Sequence, residues 1–295
     1  MSERINTVAI TSPGDMGHAI GRVLKAQGLD VITCLEGRSR RTQGLARQAG
    51  LREVDSLQDL VHEADLVLSI LVPCEAEAAA TAFAAAMDEC GRATHYVDCN
   101  AIALQTAQRI NQAIVTSGGI FTDASLIGFP PGTGTPPRLY VSGPHAEVIR
   151  FLDGPGMAVK HIGPQIGQAS GIKMCYAAMT KGTFALHYAL TMAAAKLNLL
   201  DDLLSEFEFS QPEAFQQIHE HLPRLPAKAS RWVGEMEQIA ATFESLQVTP
   251  LFHQGAAEIY DLIRQTPSGK ETPETIDHSR SLESTIAEIV KQSET

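Results

Sequence analysis

Ile5-Asn6-Thr7-Val8-Ala9-Ile10-Thr11-Ser12-Pro13-Gly14-Asp15-Met16-Gly17 is the stretch that decides how the rest of the chain is read. Its first six residues are a short apolar run of the kind that forms a buried strand. Met16, Ile20, Val23 and Leu24 then recur at helical spacing as far as Gly28, so a helix follows the strand directly. Between the two lies Ser12-x-Gly14-x-x-Gly17, with Gly21 further along, which is the form of a dinucleotide loop whose first glycine is a serine. Such a loop needs a tight turn, a close backbone approach at its middle glycine, and a helix N-terminus aimed at a pyrophosphate. Gly14 and Gly17 supply the last two needs. Ser12 supplies the first while its φ stays negative, and its hydroxyl adds a phosphate contact. Ser12, Pro13, Gly14, Asp15 and Met16 are therefore the expected cofactor loop; the competing reading is a strand-to-helix turn with no ligand.

The pattern continues outward from this unit. Residues 31–35 read as a second strand and 39–49 as a helix closed by Gly50. Residues 66–72 are continuously apolar, as strands buried on both faces are. An alanine-rich helix covers 75–87, and His95-Tyr96-Val97-Asp98 is a fourth strand. Strand–helix alternation at this spacing predicts a parallel sheet covered on both faces. After Gly163 the strand signals stop. One long helix fits 168–197, Asp201 reads as the N-cap of the next, and others fit 212–222, 227–246 and 250–264. Thr266-Pro267-Ser268-Gly269 is a break, and Leu282, Ile286, Ile289 and Val290 keep helical spacing in a last, peripheral helix. The expected fold class is an α/β Rossmann nucleotide-binding domain over 1–163, followed by an all-α domain over 164–295.

Composition narrows the functions open to such a chain. Its 23 Lys+Arg against 34 Asp+Glu leave a formal charge of −11, which argues against nucleic acid or an anionic membrane as the main partner. No targeting segment opens the sequence, and no apolar run approaches the ~18 residues of a membrane span. The five cysteines are scattered, without C-x-x-C, which fits a reducing, cytoplasmic setting and argues against disulfides or a zinc site. Cys175 is expected to pack as a small apolar group. His219 and His221, at i and i+2 on a helix, do not converge on one metal, so they read as exposed residues and no metal is expected. Asp201 and Asp202 suit a helix start, where carboxylates complement the dipole.

The end of the second strand bears on which nicotinamide cofactor is bound. An acid there binds the adenosine ribose, whereas arginine accepts a 2′-phosphate. The sequence is Leu35-Glu36-Gly37-Arg38-Ser39-Arg40-Arg41. Arginines and a serine make a phosphate cradle in fork geometry, so NADP is expected over NAD, through Arg38 and Ser39. Glu36 is the counter-argument, because one residue of register places it on the ribose. A solvated helix start is the further alternative for these arginines.

Four stretches together carry a family resemblance: Pro13-Gly14-Asp15-Met16-Gly17, Val72-Pro73, Val97-Asp98-Cys99-Asn100, and Gly167 through Lys173-Met174. The chain resembles the β-hydroxyacid dehydrogenase and 6-phosphogluconate dehydrogenase superfamily over most of its first domain and the start of the long helix. More narrowly, Ala169 through Met174 with Lys181-Gly182, and Arg231 with Glu235-Met236, resemble a subgroup with its own helical C-terminal domain of unknown function. The resemblance implies that Leu71, Val72, Pro73 and Asn100 border the cofactor. It also implies that Lys173 is the general acid/base on a substrate hydroxyl or carbonyl, and that the protein is a homodimer acting on a small molecule.

The chain departs from the family at the substrate end. Where the family carries asparagine one turn after the lysine, this chain has Ala177, leaving Tyr176 and Thr180 on the lysine's helical face as hydrogen-bonding replacements. The family's serine and two glycines correspond to the bulkier Asp123-Ala124-Ser125-Leu126-Ile127-Gly128-Phe129, in which Ser125 and Gly128 are the candidates for a carboxylate. A Lys-Asp pair of the family falls near Gly234-Glu235, with Arg231 one turn earlier as a substitute charge. The expected activity is an NADP-dependent interconversion of an alcohol, such as a hydroxy acid, and a carbonyl. An imine reductase and a non-catalytic nucleotide sensor are the alternatives.

Overall fold

The computed structural model describes residues 5–154 and 156–294. Residues 1–4, which belong to the segment where no targeting signal is expected, lie outside the described residues. Two compact units are present, Met1–Met174 and Cys175–Thr295, and the division falls inside one helix, Gln168–Lys196.

The first unit is built on the strands β1 (Thr7–Ile10), β2 (Asp30–Cys34), β3 (Arg52–Val54), β4 (Leu66–Ser69), β5 (His95–Asp98), β6 (Ile120–Ile127), β7 (Arg138–Ser142) and β8 (Ala158–Gly163). They form one sheet in the order β3-β2-β1-β4-β5-β6-β7-β8. Every pairing from β3 to β6 is parallel, β7 runs antiparallel to β6, and β8 is parallel to β7. Alternation along each strand divides the core. Val8, Ile10, Val31, Leu66, Leu68 and Val97 face one side, while Ala9, Ile32, Val67, Tyr96 and Phe121 face the other. The helices α1 (Asp15–Ala26), α2 (Arg40–Gln48), α3 (Leu57–Glu63), α4 (Ala76–Cys90) and α5 (Leu104–Thr116) follow successive strands. Ile20 and Leu24 of α1 join the first cluster; Leu60, Phe83, Met87, Ile110 and Ile114 join the second. Fully burying one such side chain contributes about 1.5–3 kcal/mol, so two continuous apolar faces hold the sheet between its helical layers.

The strands 7–10, 30–34, 66–69 and 95–98 stand where the apolar runs place them. The segments missed by periodicity are the ones with polar residues. β3 is a three-residue strand at the edge of the sheet, with Arg52 and Glu53 exposed. β8 exposes Lys160 and His161 at the other edge, and β6 buries Thr122, Asp123 and Ser125. The antiparallel β7 also departs from an all-parallel sheet.

The second unit contains most of α6 (Gln168–Lys196) and then α7 (Leu200–Ser210), α8 (Pro212–His221), α9 (Ala229–Ser245), α10 (Leu251–Arg264) and α11 (Leu282–Gln292). Trp232 and Met236 of α9 and Tyr260 and Ile263 of α10 are buried, with Trp232 edge-on to Tyr260 at 5.2 Å between ring centres. Leu282, Ile286 and Ile289 bury one face of α11. The break after α10 is a tight turn in which a Cβ on Gly269 would lie 2.1 Å from the Ile263 carbonyl oxygen, so only glycine fits.

Two expectations are corrected here. Leu199, not Asp201, caps α7; Asp201 and Asp202 lie inside its first turn, where they still complement the dipole. Cys175 is exposed, because its position on α6 turns away from the neighbouring buried residues Met174 and Ala177. Among the described residues no helix is long and apolar enough to cross a membrane.

Candidate functional site: the sheet's switch point

Strand order reverses at β1, whose neighbours β2 and β4 lead away in opposite directions. In an open α/β sheet the crevice beyond the strand ends at this point is where ligands bind. The loop from Ser12 to Gly17 leaves β1 there. Gly14 caps α1 without any side-chain cap, so the amides of the first turn are left for an outside acceptor. A Cβ on Gly14 would meet nothing within 4 Å, whereas one on Gly17 would lie 2.3 Å from the Ser12 carbonyl oxygen. Gly17 therefore lets helix and loop close, and Gly14 leaves open the space a pyrophosphate would fill. Asp15 would repel an anion at this position, but its carboxylate pairs with Arg41 at 2.6 Å. Met16 is half-buried and packs against the core, and Pro13 is buried.

The turn after β2 forms one wall of a cavity of about 200 Å³ lined by Thr11, Cys34, Glu36, Arg38, Leu57, Leu60, Ala79, Ala82 and Phe83. Gly37 sits at φ +68, and the Arg38 amide donates to the Leu35 carbonyl at 3.1 Å, so the turn needs glycine there. This brings Arg38, half-buried, and Glu36, exposed, to the same cavity. Neither forms an ion pair among the described residues. Ser39 caps α2, its hydroxyl oxygen accepting from the Thr42 amide at 3.2 Å. The cavity offers apolar walls for an adenine base, with the Arg38 guanidinium and the Glu36 carboxylate both lining it and the Ser39 hydroxyl next along the chain.

On the other side of the switch point, Leu71, Val72 and Pro73 follow β4. Val72 is exposed and Pro73 opens a turn of 3₁₀ helix. Asn100 is buried and its amide is fully used: Nδ2 donates to the Ser69 hydroxyl and to Asp98 Oδ2, both at 3.0 Å, while Oδ1 accepts from the Leu71 amide at 2.5 Å. Asn100 thus positions the Leu71–Pro73 loop. Burial pushes the Asp98 carboxyl up to about 7, against the two hydrogen bonds from Asn100 that favour its charge.

Lys173 lies on α6 one turn past an anchor that periodicity does not reveal. Asp123 Oδ2 accepts from the amides of Gly167, Ala169 and Ser170 at 2.8, 3.0 and 3.2 Å and from the Ser142 hydroxyl at 2.8 Å. The Ser170 hydroxyl donates to Oδ1 at 2.6 Å. Burial pushes this carboxyl up, and the converging donors pull against it. A carboxylate on a helix's free amides also meets the positive end of its dipole. With the helix start fixed to β6, the Lys173 ammonium donates to the Leu126 carbonyl of the same strand at 2.6 Å. Lys173, Leu126 and the strand end at Gly128 are thereby brought together. Gly128 adopts φ +131 with its Cβ position 3.0 Å from Pro137, a conformation and a contact that both call for glycine.

The remaining substrate candidates lie in different surroundings. Ser125 is fully buried and its hydroxyl has no partner, so it faces the interior of the sheet rather than solvent. Alternation along β6 puts Ser125 on the same face as Asp123, which anchors the start of α6, and β6 is buried on both faces. Tyr176 is exposed, whereas the Thr180 hydroxyl donates back to the Tyr176 carbonyl at 3.2 Å. Arg231 is tied to Glu235 at 3.2 Å, and the ammonium of Lys181 pairs with the other oxygen of the same carboxylate. That Lys181–Glu235 pair joins α6 to α9 within the second unit and does not follow from spacing. His219 lies against Phe215 at 4.3 Å and His221 against Phe184 at 5.5 Å.

Residues 7–152 match the family described as the NAD binding domain of 6-phosphogluconate dehydrogenase, and residues 194–263 match a domain of unknown function, DUF1932. An uncharacterised 28.5 kDa protein of Methanothermus fervidus is 27% identical over 205 residues, covering 70% of this chain and 77% of that protein. The structure of 3-hydroxyisobutyrate dehydrogenase from Mycobacterium tuberculosis with L-serine superposes with a TM-score of 0.68 at 18% identity, over 96% of this chain and 99% of that one. An imine reductase from Myxococcus stipitatus in complex with NADP+ gives 0.55 at 18%, over 88% of this chain and 93% of the other. The fold is therefore that of the hydroxyacid dehydrogenases, with an NAD(P)-binding first domain.

Proposed function

Residues 7–152 belong to the NAD-binding domains of the 6-phosphogluconate dehydrogenase type and residues 194–263 to a helical family of unknown function, and on that premise we propose that the protein is an NADP-dependent oxidoreductase interconverting an alcohol and a carbonyl. The observation that carries this reading is Lys173: a lysine whose ammonium is held on the Leu126 carbonyl by a helix start that Asp123 pins to the sheet. A bound nicotinamide supplies or accepts the hydride. The chain's own part is to bind and to manage a proton. The first-turn amides of α1 hold the pyrophosphate, Arg38 and Ser39 hold the 2′-phosphate, and Leu71, Val72 and Pro73, set by Asn100, border the nicotinamide. Lys173 takes the proton from the substrate hydroxyl in oxidation and returns it to the carbonyl oxygen in reduction. The Gly128 amide is the remaining contact for a substrate carboxylate. The protein works as a soluble cytoplasmic homodimer.

Imine reduction is the second reading, favoured by the apolar end of β6, where Phe129 is exposed and the Ser125 hydroxyl is turned inward. The test is Lys173→Met. Carbonyl reduction with NADPH should fall by about 10²–10⁴-fold, the usual size of a general acid/base contribution, with NADPH affinity unchanged. Full turnover in that variant would overturn the role of Lys173, and turnover of cyclic imines alone would favour the second reading. Tighter binding of NADH than NADPH would move cofactor recognition to Glu36.

A further inference from the structure

In the second unit three cations gather around the chain's single tryptophan, Trp232. The Lys181 ammonium lies 5.9 Å from the centre of its ring and the Lys228 ammonium 6.0 Å. Arg231, the residue before the tryptophan, shares the Glu235 carboxylate with Lys181, one cation on each oxygen. Glu235 is the one carboxylate that pairs with any of the three among the described residues. The group is thus left with two uncompensated positive charges.

The cations also press on one another. Lys228 makes no ion pair among the described residues, and its ammonium is held below the ordinary lysine range by burial and by the charges of Arg231 and Lys181. A chain with a net charge of −11 has carboxylates to spare, yet none among the described residues is placed beside Lys228. Trp232 is itself buried, and its indole N–H is shut away from solvent without an acceptor. A buried donor left unpaired costs about 1–3 kcal/mol, so it is uncommon where nothing is gained by it. An excess of two positive charges, with the Lys228 ammonium unpaired among the described residues, is what an acceptor-only dianion satisfies. An aromatic floor adds to this by lowering the local dielectric.

We infer that Lys181, Lys228, Arg231 and Trp232 form a binding site for the dianionic group of a small ligand, a phosphoryl group or a dicarboxylate. Lys228 and Arg231 bind the anion directly. Lys181 adds its field and is held in place by Glu235. The site is built from the second unit alone and does not depend on the reading of Lys173.

Trp232 reports on its own surroundings, because no other tryptophan contributes to the emission. The experiment titrates the full chain, without nucleotide, with inorganic phosphate slightly above neutral pH, at ionic strength held constant with sodium chloride. A saturable change in Trp232 emission that chloride does not produce is expected. Lys228→Gln and Arg231→Gln, both at exposed positions, should each weaken phosphate about tenfold, the loss of one charge-assisted hydrogen bond. Succinate in place of phosphate separates the sources: saturation by both assigns a general dianion site, and saturation by phosphate alone assigns a phosphoryl group. A response equal to that of chloride overturns the site, and so does phosphate affinity unchanged in both variants. NADPH binding to the same variants should stay at its wild-type level, so failure here and failure of the hydride-transfer reading are separate results.

Discussion

Gly14 and Gly17 sit three residues apart in one loop, but they are glycines for different reasons. A side chain on Gly17 collides with the Ser12 carbonyl, whereas one on Gly14 enters empty space. Gly14 also has φ −72, which alanine adopts freely. Gly14→Ala should therefore melt within about 0.5 kcal/mol of the native chain and yet bind NADPH at least about tenfold more weakly. Gly17→Ala should cost about 1–3 kcal/mol of stability by overpacking. Urea denaturation and nicotinamide fluorescence measure both quantities; equal stability of the two variants would refute the distinction. The S-x-G-x-x-G pattern makes this loop legible in the sequence, because loop and helix are contiguous in the chain. Asn100 is legible as a position but not as a role. That its amide is spent on Ser69, Asp98 and Leu71 depends on the ends of β4 and β5 meeting.

At the scale of elements, the start of α6 depends on a side chain from a distant strand. Asp123 receives the free amides of Gly167, Ala169 and Ser170, a task usually done by the residue just before a helix. Asp123→Ala would leave the Gly167 and Ser170 amides and two serine hydroxyls buried without this acceptor, while the Ala169 amide keeps the Ser142 hydroxyl oxygen. The expected cost is about 3 kcal/mol or more in urea denaturation, well above the ~1 kcal/mol of an ordinary cap. Ser39→Ala, which removes an exposed cap on α2, should cost only the smaller amount and serves as the comparison. The helices α1, α4, α6, α9 and α10 are legible from their 3.6-residue period within a few residues. β6 is not, because Thr122, Asp123 and Ser125 interrupt its apolar run while being as buried as their neighbours.

For the whole molecule, α6 presents Ile172, Met179 and Leu186 at seven-residue intervals, all exposed, with Met179 at 72%. A row of this kind on a monomer is a contact surface or an aggregation hazard. The homodimer reading expects light scattering at micromolar concentration to give twice the chain mass, and Met179→Glu to give the single mass with its fold intact. A native chain that scatters as a monomer would remove the dimer.

Local order is written along the chain: an apolar run, a glycine loop, a helix period, and through them an α/β nucleotide-binding domain followed by helices. These features depend on neighbours in sequence, so they survive being read in one dimension. Which polar groups meet is a matter of three dimensions. It takes the parallel β5–β6 pairing and the antiparallel β6–β7 pairing to carry Asp123 to the start of α6, and the packing of α9 against α10 to bury Trp232 beneath its lysines. Hydrogen bonds and charge pairs act over a few ångströms of space, and sequence separation does not measure that distance.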